Sequence, residues 1–361
     1  MRKMRFIQIG LGGFGEYWCS EVLPYITADL GIAEIVAAVD INPDSFSNLP
    51  ACAGLPAGKF YTDAKKAFTE NEADFAIIVV PPAYHESMLE LAIGHGCHVL
   101  LEKPIADDME TCCRIYRRVI ESGKKVAVTM SHRYDQDKQT LEGLIKSGDF
   151  GKLSHIAGRF SNTYEDLPPK GNFRYTMDDP FLIECAIHHF EIMRSLSGAN
   201  ASTVYAKTWN PEWSTFRGDT TAAVIMEMTN GVSAVYEGSI MNSAKLNSWG
   251  NEYFRAECEK GTLELDHRVL TVKRSLDVRR METIEIPLIR QRNWINPWLA
   301  ELFVKWLTED RRPPNTIDDN MQCAALLFAA VQSAHTGGVV DVQHFLKGHL
   351  KRVGLESPRE V

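Results

Sequence analysis

The sequence lacks the features that define several large classes of protein. Its eight cysteines include no Cys-x-x-Cys pair, which argues against a structural zinc site or a small disulfide scaffold. Their apolar neighbours predict reduced, buried thiols, as in a reducing compartment. No run of ~18 apolar residues occurs, and the early glycine-rich loop leaves no room for the apolar core of a secretory signal. We therefore expect a cytoplasmic protein that has no membrane-spanning helix.

Charge of one sign is also not concentrated anywhere along the chain. Lys and Arg total 39 against 47 Asp and Glu, which gives a net charge of -8 without a basic stripe. Nucleic acid and anionic membranes are therefore unlikely partners on charge grounds. The 361 residues, 45% of them hydrophobic and 24% charged, fit an ordinary globular protein. At roughly 150 residues per domain, this length predicts about two domains.

The first predicted domain spans residues 1–130. Short apolar runs alternate there with helical patterns, and each run has the length of a fully buried strand. The predicted strands are 6–9, 35–39, 75–80, 98–101 and 126–130. Parallel strands need long crossover connections, so this alternation predicts a doubly wound parallel sheet of the Rossmann type.

The second predicted domain spans residues 131–361. After a helix over 135–146, the pattern changes to antiparallel pairs, with hairpin turns at Asn230-Gly231 and Lys260-Gly261. The predicted strand regions are 153–163, 201–209, 219–241, 252–274 and 281–287, and the predicted helices are 181–196, 294–307 and 318–335. Arg312-Pro313-Pro314 separates the last two helices. The pattern predicts an α+β domain built on a large, mostly antiparallel open sheet.

A glycine loop follows the first strand. The segment from Gly10 to Gly15 reads Gly-Leu-Gly-Gly-Phe-Gly, which fits G-x-G-x-x-G between a strand and a helix. In such a loop the first glycine allows the tight turn, the second lets a pyrophosphate approach the backbone, and the last brings helix and strand together. The loop predicts a dinucleotide site that includes Gly10, Gly12, Gly13, Phe14 and Gly15. A glycine-rich turn without a ligand is the alternative.

Asp40 ends the second strand, where the adenosine ribose of a bound dinucleotide would lie. A carboxylate there accepts hydrogen bonds from both ribose hydroxyls and repels a 2'-phosphate. Residues 41–50 contain no Lys or Arg that could bind such a phosphate. The sequence therefore favours NAD over NADP, although Asp40 by itself could be a solvated residue at a strand end.

A Glu-Lys-Pro turn completes the motifs of the first domain. Glu102, Lys103 and Pro104 follow a buried strand, so the lysine should lie at the carboxyl edge of the sheet, where such folds bind ligands. Three further segments accompany the turn: Val80-Pro81-Pro82-Ala83-Tyr84-His85, Ala186-Ile187-His188 and the tail 333–340. Together with the glycine loop, they make the sequence similar to the Gfo/Idh/MocA oxidoreductases, the family of glucose-fructose oxidoreductase and inositol dehydrogenase.

The resemblance covers most of the chain and implies roles for particular residues. It implies that Lys103 lies near nicotinamide and substrate, and that Glu184, His188 and Glu191 match the family's histidine signature. The sequence departs from the commoner pattern, since Glu184 stands in place of aspartate and Ala186 in place of glycine. The resemblance also assigns residues near the cofactor, Pro81, His85 and Glu102, and an arginine near nicotinamide or substrate, Arg133.

The chemistry of alcohol oxidation suits these residues. A hydroxyl that loses hydride must also lose its proton, and His188 is a suitable base near neutral pH. Glu184 lies at i–4 from His188, so on one helix both side chains should share a face. Lys103 would donate to the reacting oxygen. We therefore predict that Lys103, His188 and Glu184 are catalytic, that these three and Arg133 bind substrate, and that no metal is bound.

Each of these roles has a structural alternative. His188 could be a hydrogen-bonded core residue, Glu191 a solvated helix charge, Arg133 part of a surface salt bridge and His85 a helix cap. The neighbouring His189 points from a different face of the helix. A polar and aromatic loop group resembles a polyol site, although loops often have this composition: Tyr164, Lys170, Asn172, Arg174, Tyr175 and Asp179.

The predicted function is that of an NAD-dependent dehydrogenase acting on a cyclic polyol, sugar or sugar derivative. One alternative is a redox-neutral, glycosidase-like enzyme that keeps NAD tightly bound. Another is a non-catalytic nucleotide-sensing protein. A sheet face with Trp249 and Tyr253 could bury against another subunit, so a homodimer or homotetramer is expected.

Overall fold

The computed structural model describes residues 2–50, 53–164 and 173–359. The chain divides into two compact units. The first contains residues up to 131 together with 293–321 and those from 349 onward, and the second contains 132–292 and 322–348. The two units differ from the predicted domains in the later part of the chain, because the sequence division at residue 130 assigned all later residues to the second domain.

A six-stranded parallel sheet forms the centre of the first unit, in the order β3-β2-β1-β4-β5-β6. Its strands are β1 (Met4–Ile9), β2 (Ala33–Val39), β3 (Phe60–Tyr61), β4 (Phe75–Ile78), β5 (His98–Leu101) and β6 (Val126–Val128). The predicted doubly wound Rossmann sheet is confirmed. The edge strand β3 was not predicted, because its two residues are too few to give a periodic signal.

Helices connect these strands and extend the unit. They are α1 (Phe14–Tyr17), α2 (Ala64–Glu70), α3 (His85–Gly94), α4 (Met109–Ser122) and α7 (Ile295–Glu309). After α1 the chain continues in π-helical turns over Trp18–Val22 and Tyr25–Asp29. Asp63 and Asp108 cap α2 and α4 by accepting hydrogen bonds from first-turn amides.

Aromatic packing explains why α7 belongs to the first unit. The rings of Phe6 and Phe75, on neighbouring strands, stack with their centroids 5.2 Å apart. Phe303 of α7 contacts Phe75 edge-on at 5.6 Å and is fully buried. This contact completes one hydrophobic core from residues that are more than 200 positions apart in the sequence.

A nine-stranded sheet dominates the second unit, in the order β14-β13-β12-β11-β7-β10-β9-β8-β15. Its strands are β7 (Leu153–Ser161), β8 (Ala201–Trp209), β9 (Thr221–Met228), β10 (Ser233–Ser239), β11 (Tyr253–Cys258), β12 (Gly261–Asp266), β13 (Val269–Asp277), β14 (Arg280–Ile286) and β15 (Val340–Asp341). Among the described strands of this sheet, only β7 and β10 pair in parallel. The predicted, mostly antiparallel open sheet is confirmed.

The two predicted hairpins also form. Gly231, at φ 84°, turns the chain between β9 and β10, and Cys258 pairs with Gly261 across the turn between β11 and β12. The helices that accompany this sheet are α5 (Gln136–Lys146) and α6 (Ile187–Ser197). Near the carboxyl end follow α8 (Ile317–Thr336) and α9 (Val342–Arg352), of which α9 was not predicted.

All seven cysteines within the described residues are free, and six of them are buried; Cys52 lies outside the described residues. Within the part of the chain that the structure describes, no helix is both long enough and apolar enough to span a bilayer.

Candidate active site

The glycine loop joins β1 to α1 at the carboxyl edge of the parallel sheet. Gly10 has φ 90°, and a Cβ atom placed on it would lie 1.9 Å from the carbonyl oxygen of Val79. A Cβ on Gly15 would lie 2.6 Å from the carbonyl oxygen of Gly10. Gly13 has φ 57° and faces open space. The loop therefore requires glycine for two different reasons, close packing at its ends and backbone conformation at Gly10 and Gly13.

Asp40 lies directly beside this loop. Its Oδ2 accepts hydrogen bonds from the amides of Leu11 at 2.8 Å and Gly12 at 3.0 Å, and its Oδ1 accepts one from Asn42. The carboxylate thus orients the loop backbone from the end of β2. This is the position from which the sequence predicts that it contacts the ribose.

The loops after β4 and β5 are joined by His85. Its ring is fully buried, with Nε2 2.8 Å from the carbonyl oxygen of Val80 and Nδ1 2.9 Å from that of Pro104. Burial lowers its pKa, although these carbonyl contacts oppose the shift. The geometry gives His85 a positioning role, holding the loop that contains the exposed Pro81 against the Lys103-Pro104 turn. Direct cofactor contact by Pro81 or His85 stays a prediction.

Glu102 supports the lysine from inside the unit. Its carboxylate is buried and accepts hydrogen bonds from the Trp18 indole at 2.9 Å, the Asn296 amide at 3.1 Å and the backbone amide of Lys103. Burial raises the pKa of Glu102. These partners make Glu102 an anchor for the turn, and its predicted contact with the cofactor remains untested. Lys103 is partly exposed, and the Lys103-Pro104 peptide is cis.

The second unit presents the predicted histidine on α6. This helix is buried along its whole length, and His188 is only 5% exposed. The turn before it, Leu182–Ala186, is π-helical. Glu184 lies in this π-helical turn, and His188 lies in the first turn of α6. That the two side chains share one helical face stays a prediction.

Glu184 has a charged partner on a preceding segment. Its Oε2 accepts a hydrogen bond from Arg174 Nε at 2.7 Å, and Arg174 is about one-third exposed whereas Glu184 is buried. Among the other residues of the predicted polyol group, Tyr175 donates to the carbonyl oxygen of Tyr164. Lys170 and Asn172 lie outside the described residues. A buried carboxylate next to a partly exposed guanidinium can bind a polar, hydroxylated ligand.

Arg133 belongs to a buried ionic group on the second unit. Its Nη1 lies 2.7 Å from Glu191 Oε1, and Glu191 also contacts Arg194 at 2.5 Å, with all three side chains largely buried. Burial raises the pKa of Glu191, but the two arginines outweigh this effect and lower it. Glu191 is thus not a solvated helix charge, and Arg133 is in a buried ion pair rather than a surface one. Substrate binding by Arg133 stays a prediction.

Two residues near His188 were missed as site residues. The ring of His132 lies 4.4 Å from that of His188, between centroids, and the ring of Trp249 lies 5.6 Å away. Trp249 also stacks on His189 and contacts Phe160, so it packs in this aromatic cluster. Its burial against another subunit stays a prediction. No sequence pattern pointed to Trp249, because the contact depends on a loop that precedes β11.

Comparisons with known proteins agree with this geometry in both parts of the chain. Residues 4–130 match the model described as "Oxidoreductase family, NAD-binding Rossmann fold", and residues 139–264 match the "GFO/IDH/MocA C-terminal domain". The chain belongs to the Gfo/Idh/MocA oxidoreductase family. It is therefore an NAD-binding oxidoreductase, whose known homologues include dehydrogenases.

Individual members of the Gfo/Idh/MocA family show how far the similarity extends. An uncharacterised protein of Sinorhizobium fredii is 42% identical over 97% of this chain and 98% of its own length. An inositol 2-dehydrogenase of Corynebacterium glutamicum is 28% identical over 53% of this chain and 56% of its own. A levoglucosan dehydrogenase structure in complex with NADH is 17% identical, with a TM-score of 0.81 over 94% of this chain and 99% of that one. The last similarity shows the fold alone.

The glycine loop of this Gfo/Idh/MocA protein fits NAD. A Cβ at Gly12 would lie 2.9 Å from Ser45 Oγ, whereas one at Gly13 would meet nothing within 4 Å, so open space borders the loop. Phe14, which follows, is half exposed and stacks on Tyr17. Backbone amides at a helix start suit a pyrophosphate, and the acid at Asp40 suits ribose hydroxyls.

Proposed function

We propose that this protein is an NAD-dependent dehydrogenase that oxidises a secondary hydroxyl of a cyclic polyol, sugar or sugar derivative. One observation carries the proposal: His188 is buried on α6, and the ion pair of Glu184 with Arg174 lies just before this helix in the sequence. A candidate base and a charged pair that could bind substrate hydroxyl groups are thus close together in the sequence of the second unit. The first unit supplies the nucleotide loop and Lys103.

Each of these residues has a separate role in the proposed reaction. Bound NAD supplies the hydride acceptor. His188 takes the proton of the hydroxyl as hydride leaves the same carbon, so that the alcohol becomes a carbonyl. Lys103 donates a hydrogen bond to the reacting oxygen and stabilises its developing negative charge. Glu184, with Arg174, binds neighbouring hydroxyl groups of the substrate and orients the reacting carbon.

The substrate class has support from a relative and from the donor set. Inositol is a cyclic polyol, and the inositol 2-dehydrogenase relative aligns with 53% of this chain. Carboxylate and guanidinium groups form the directed hydrogen bonds that recognise hydroxyl groups. A redox-neutral enzyme with tightly bound NAD would use the same groups, and it would form no net NADH.

A substrate panel tests the proposal. We expect purified protein with NAD to form NADH, read by its absorbance, with at least one group among inositols, aldoses, sugar acids and amino sugars. NADP should support less activity, because Asp40 repels a 2'-phosphate. If no substrate gives NADH while denaturation releases stoichiometric nucleotide, the redox-neutral alternative replaces the proposal.

We also propose that the protein self-associates through the open face of its large sheet and that it acts in the cytoplasm. Tyr205, Ile225 and Val235 lie side by side on β8, β9 and β10, because the register pairs Tyr205 with Ile225 and Ile225 with Val235. All three side chains are exposed. An exposed apolar row of this kind suits a symmetric contact with a second copy. The free, buried cysteines suit a reducing compartment.

Charge placed in this row should break the association. We expect wild-type protein to be a dimer or tetramer by light scattering after size exclusion, and Ile225→Glu to shift it towards monomer. Val278→Glu, at a fully exposed turn position, is the matched control and should not change the mass. A monomeric wild type at micromolar concentration would contradict the proposal.

A further inference from the structure

A buried ionic cluster lies next to the aromatic group around His188. Glu252, immediately before β11, accepts a hydrogen bond from Lys138 of α5, with Oε2 and Nζ 2.7 Å apart. The two side chains are 0% and 1% exposed. Taking two charges out of water is costly, and an apolar pair of similar volume is often at least as stable. Stability alone therefore does not explain why these residues lie there.

The cluster carries a surplus of negative charge. Besides Lys138 and Glu252, it contains Arg268, whose Nη1 lies 2.6 Å from Asp135 Oδ2, and Asp137, which lies 3.2 Å from Lys138 Nζ. Three carboxyl groups thus face two permanent cations. Burial raises the pKa of Asp137. Burial also raises that of Glu252, but its cationic and histidine neighbours outweigh this effect and hold it well below its usual range.

His132 connects this cluster to His188. Its Nδ1 lies 3.4 Å from Glu252 Oε1, the carboxylate oxygen that does not bind Lys138. Its ring lies 4.4 Å from the ring of His188, between centroids and at an angle of 54°. Trp249 contacts both rings, at 4.7 and 5.6 Å, and so limits their movement. The side chain of His132 is 26% exposed, which places it at the rim of the cluster.

The second histidine near Glu252 serves a different purpose. His189 Nε2 lies 4.0 Å from Glu252 Oε1, while its Nδ1 lies 2.7 Å from the hydroxyl group of Tyr236. Burial, aided by His132 and Lys138, lowers the pKa of His189 to about 3. His189 is therefore neutral near pH 7 and belongs to the packed interior.

We propose that Glu252 and His132 are positioning residues for His188, an inference that rests on the proposed dehydrogenase function. With Glu252 Oε1 3.4 Å from Nδ1 of His132, the His132 tautomer that carries its hydrogen on Nδ1 leaves Nε2 as an acceptor. When His188 takes the hydroxyl proton and becomes an imidazolium, this acceptor and the carboxylate charge behind it stabilise the new positive charge. The proton is then released from His188 to solvent, and both positioning residues are unchanged.

Other charged and titratable groups lie near His188, but each of them has partners outside the pair formed by His132 and Glu252. Trp249 donates to the hydroxyl of Tyr164, which in turn lies 3.5 Å from Cys185 Sγ. The remaining groups on the helical run of His188 are Glu184, paired with Arg174, and Glu191, paired with Arg133 and Arg194. The variants below leave all of these groups in place.

The test measures the titration of His188 itself. In full-length protein labelled with ¹⁵N-histidine, and assigned with a His188→Asn variant, we expect His132→Gln and Glu252→Gln each to lower the titration midpoint of His188 by about one pH unit. A base must be unprotonated to act, so kcat/KM for oxidation rises with pH through this midpoint. The acid limb of the kcat/KM profile should therefore move to lower pH by the same amount. His344→Gln, at an exposed position on α9, is the control and should move neither curve.

The outcomes separate this inference from the proposed function. A folded His132→Gln protein with an unchanged or raised His188 midpoint would overturn the inference, whatever its activity. Glu252→Gln removes the carboxylate nearest to Lys138, so if that variant fails to fold, His132→Gln decides alone. Absence of dehydrogenase activity on every substrate would refute the proposed function, while the spectroscopic titration would still report on the positioning pair.

Discussion

Replacing His188 with asparagine should lower kcat for alcohol oxidation by about 100- to 10 000-fold. Asparagine is polar and smaller, but it cannot take a proton near neutral pH, so the hydroxyl proton has no acceptor at that position. The dinucleotide binds to the other unit's glycine loop, and NAD affinity should therefore change little. Stopped-flow kinetics and calorimetric titration with NAD measure the two quantities separately.

The control for this prediction is the same substitution, histidine to asparagine, at an exposed position outside the candidate site. His344→Asn alters an exposed histidine of α9 and should retain wild-type turnover. The His188→Asn variant should also lose the acid limb of the pH profile, because the group that titrates is gone. Turnover at the wild-type rate in His188→Asn would remove His188 from the mechanism.

Replacing Lys103 with methionine should lower kcat by about 100- to 1000-fold, as for removal of one donor to a developing oxyanion. Methionine has a similar length without the ammonium group, so the change removes charge and hydrogen bonding with little change in volume. Glu102, which holds the turn through Trp18 and Asn296, is unaffected. The turn should therefore keep its structure, as measured by circular dichroism and by thermal unfolding.

The pH profile distinguishes the lysine from the histidine. Lys103→Met should retain the acid limb, since His188 is still present, and only the height of the profile should fall. Lys347→Met, at an exposed site on α9, is the matched control. Loss of the acid limb in Lys103→Met, or no loss of rate, would contradict the assigned role.

Most of the fold could be predicted from the sequence because its signals are local. Buried strands of the first sheet are continuous apolar runs, and hairpin turns such as Asn230-Gly231 are marked by residues that tolerate positive φ. The strand β3 has only two residues, and β15 likewise, so neither gives a period. The parallel pairing of β7 with β10 joins residues 78 positions apart, such as His155 and Ser233, which no local pattern encodes.

The candidate site was likewise predictable only in part. The glycine loop, Asp40, Lys103 and His188 lie in motifs whose spacing is visible in the sequence. The partners of the site residues are not visible, because they come from other segments of the chain: Arg174 for Glu184, Glu191 for Arg133, and Asn296 for Glu102. The π-helical turn at Leu182–Ala186 is a further case, since a helical pattern does not reveal a local change in the number of residues per turn.

The place of α7 in the first unit has a consequence for synthesis on the ribosome. Phe303 completes the core around Phe75, and Asn296 completes the hydrogen bonds of Glu102. A nascent chain that has emerged only to residue 292 lacks both groups, so the nucleotide-binding unit cannot finish folding while the large sheet is being made. The second unit likewise awaits residues 322–348. Folding of one domain after another from the amino terminus is therefore not open to this chain, because each unit reaches its final state only after segments beyond residue 292 have emerged.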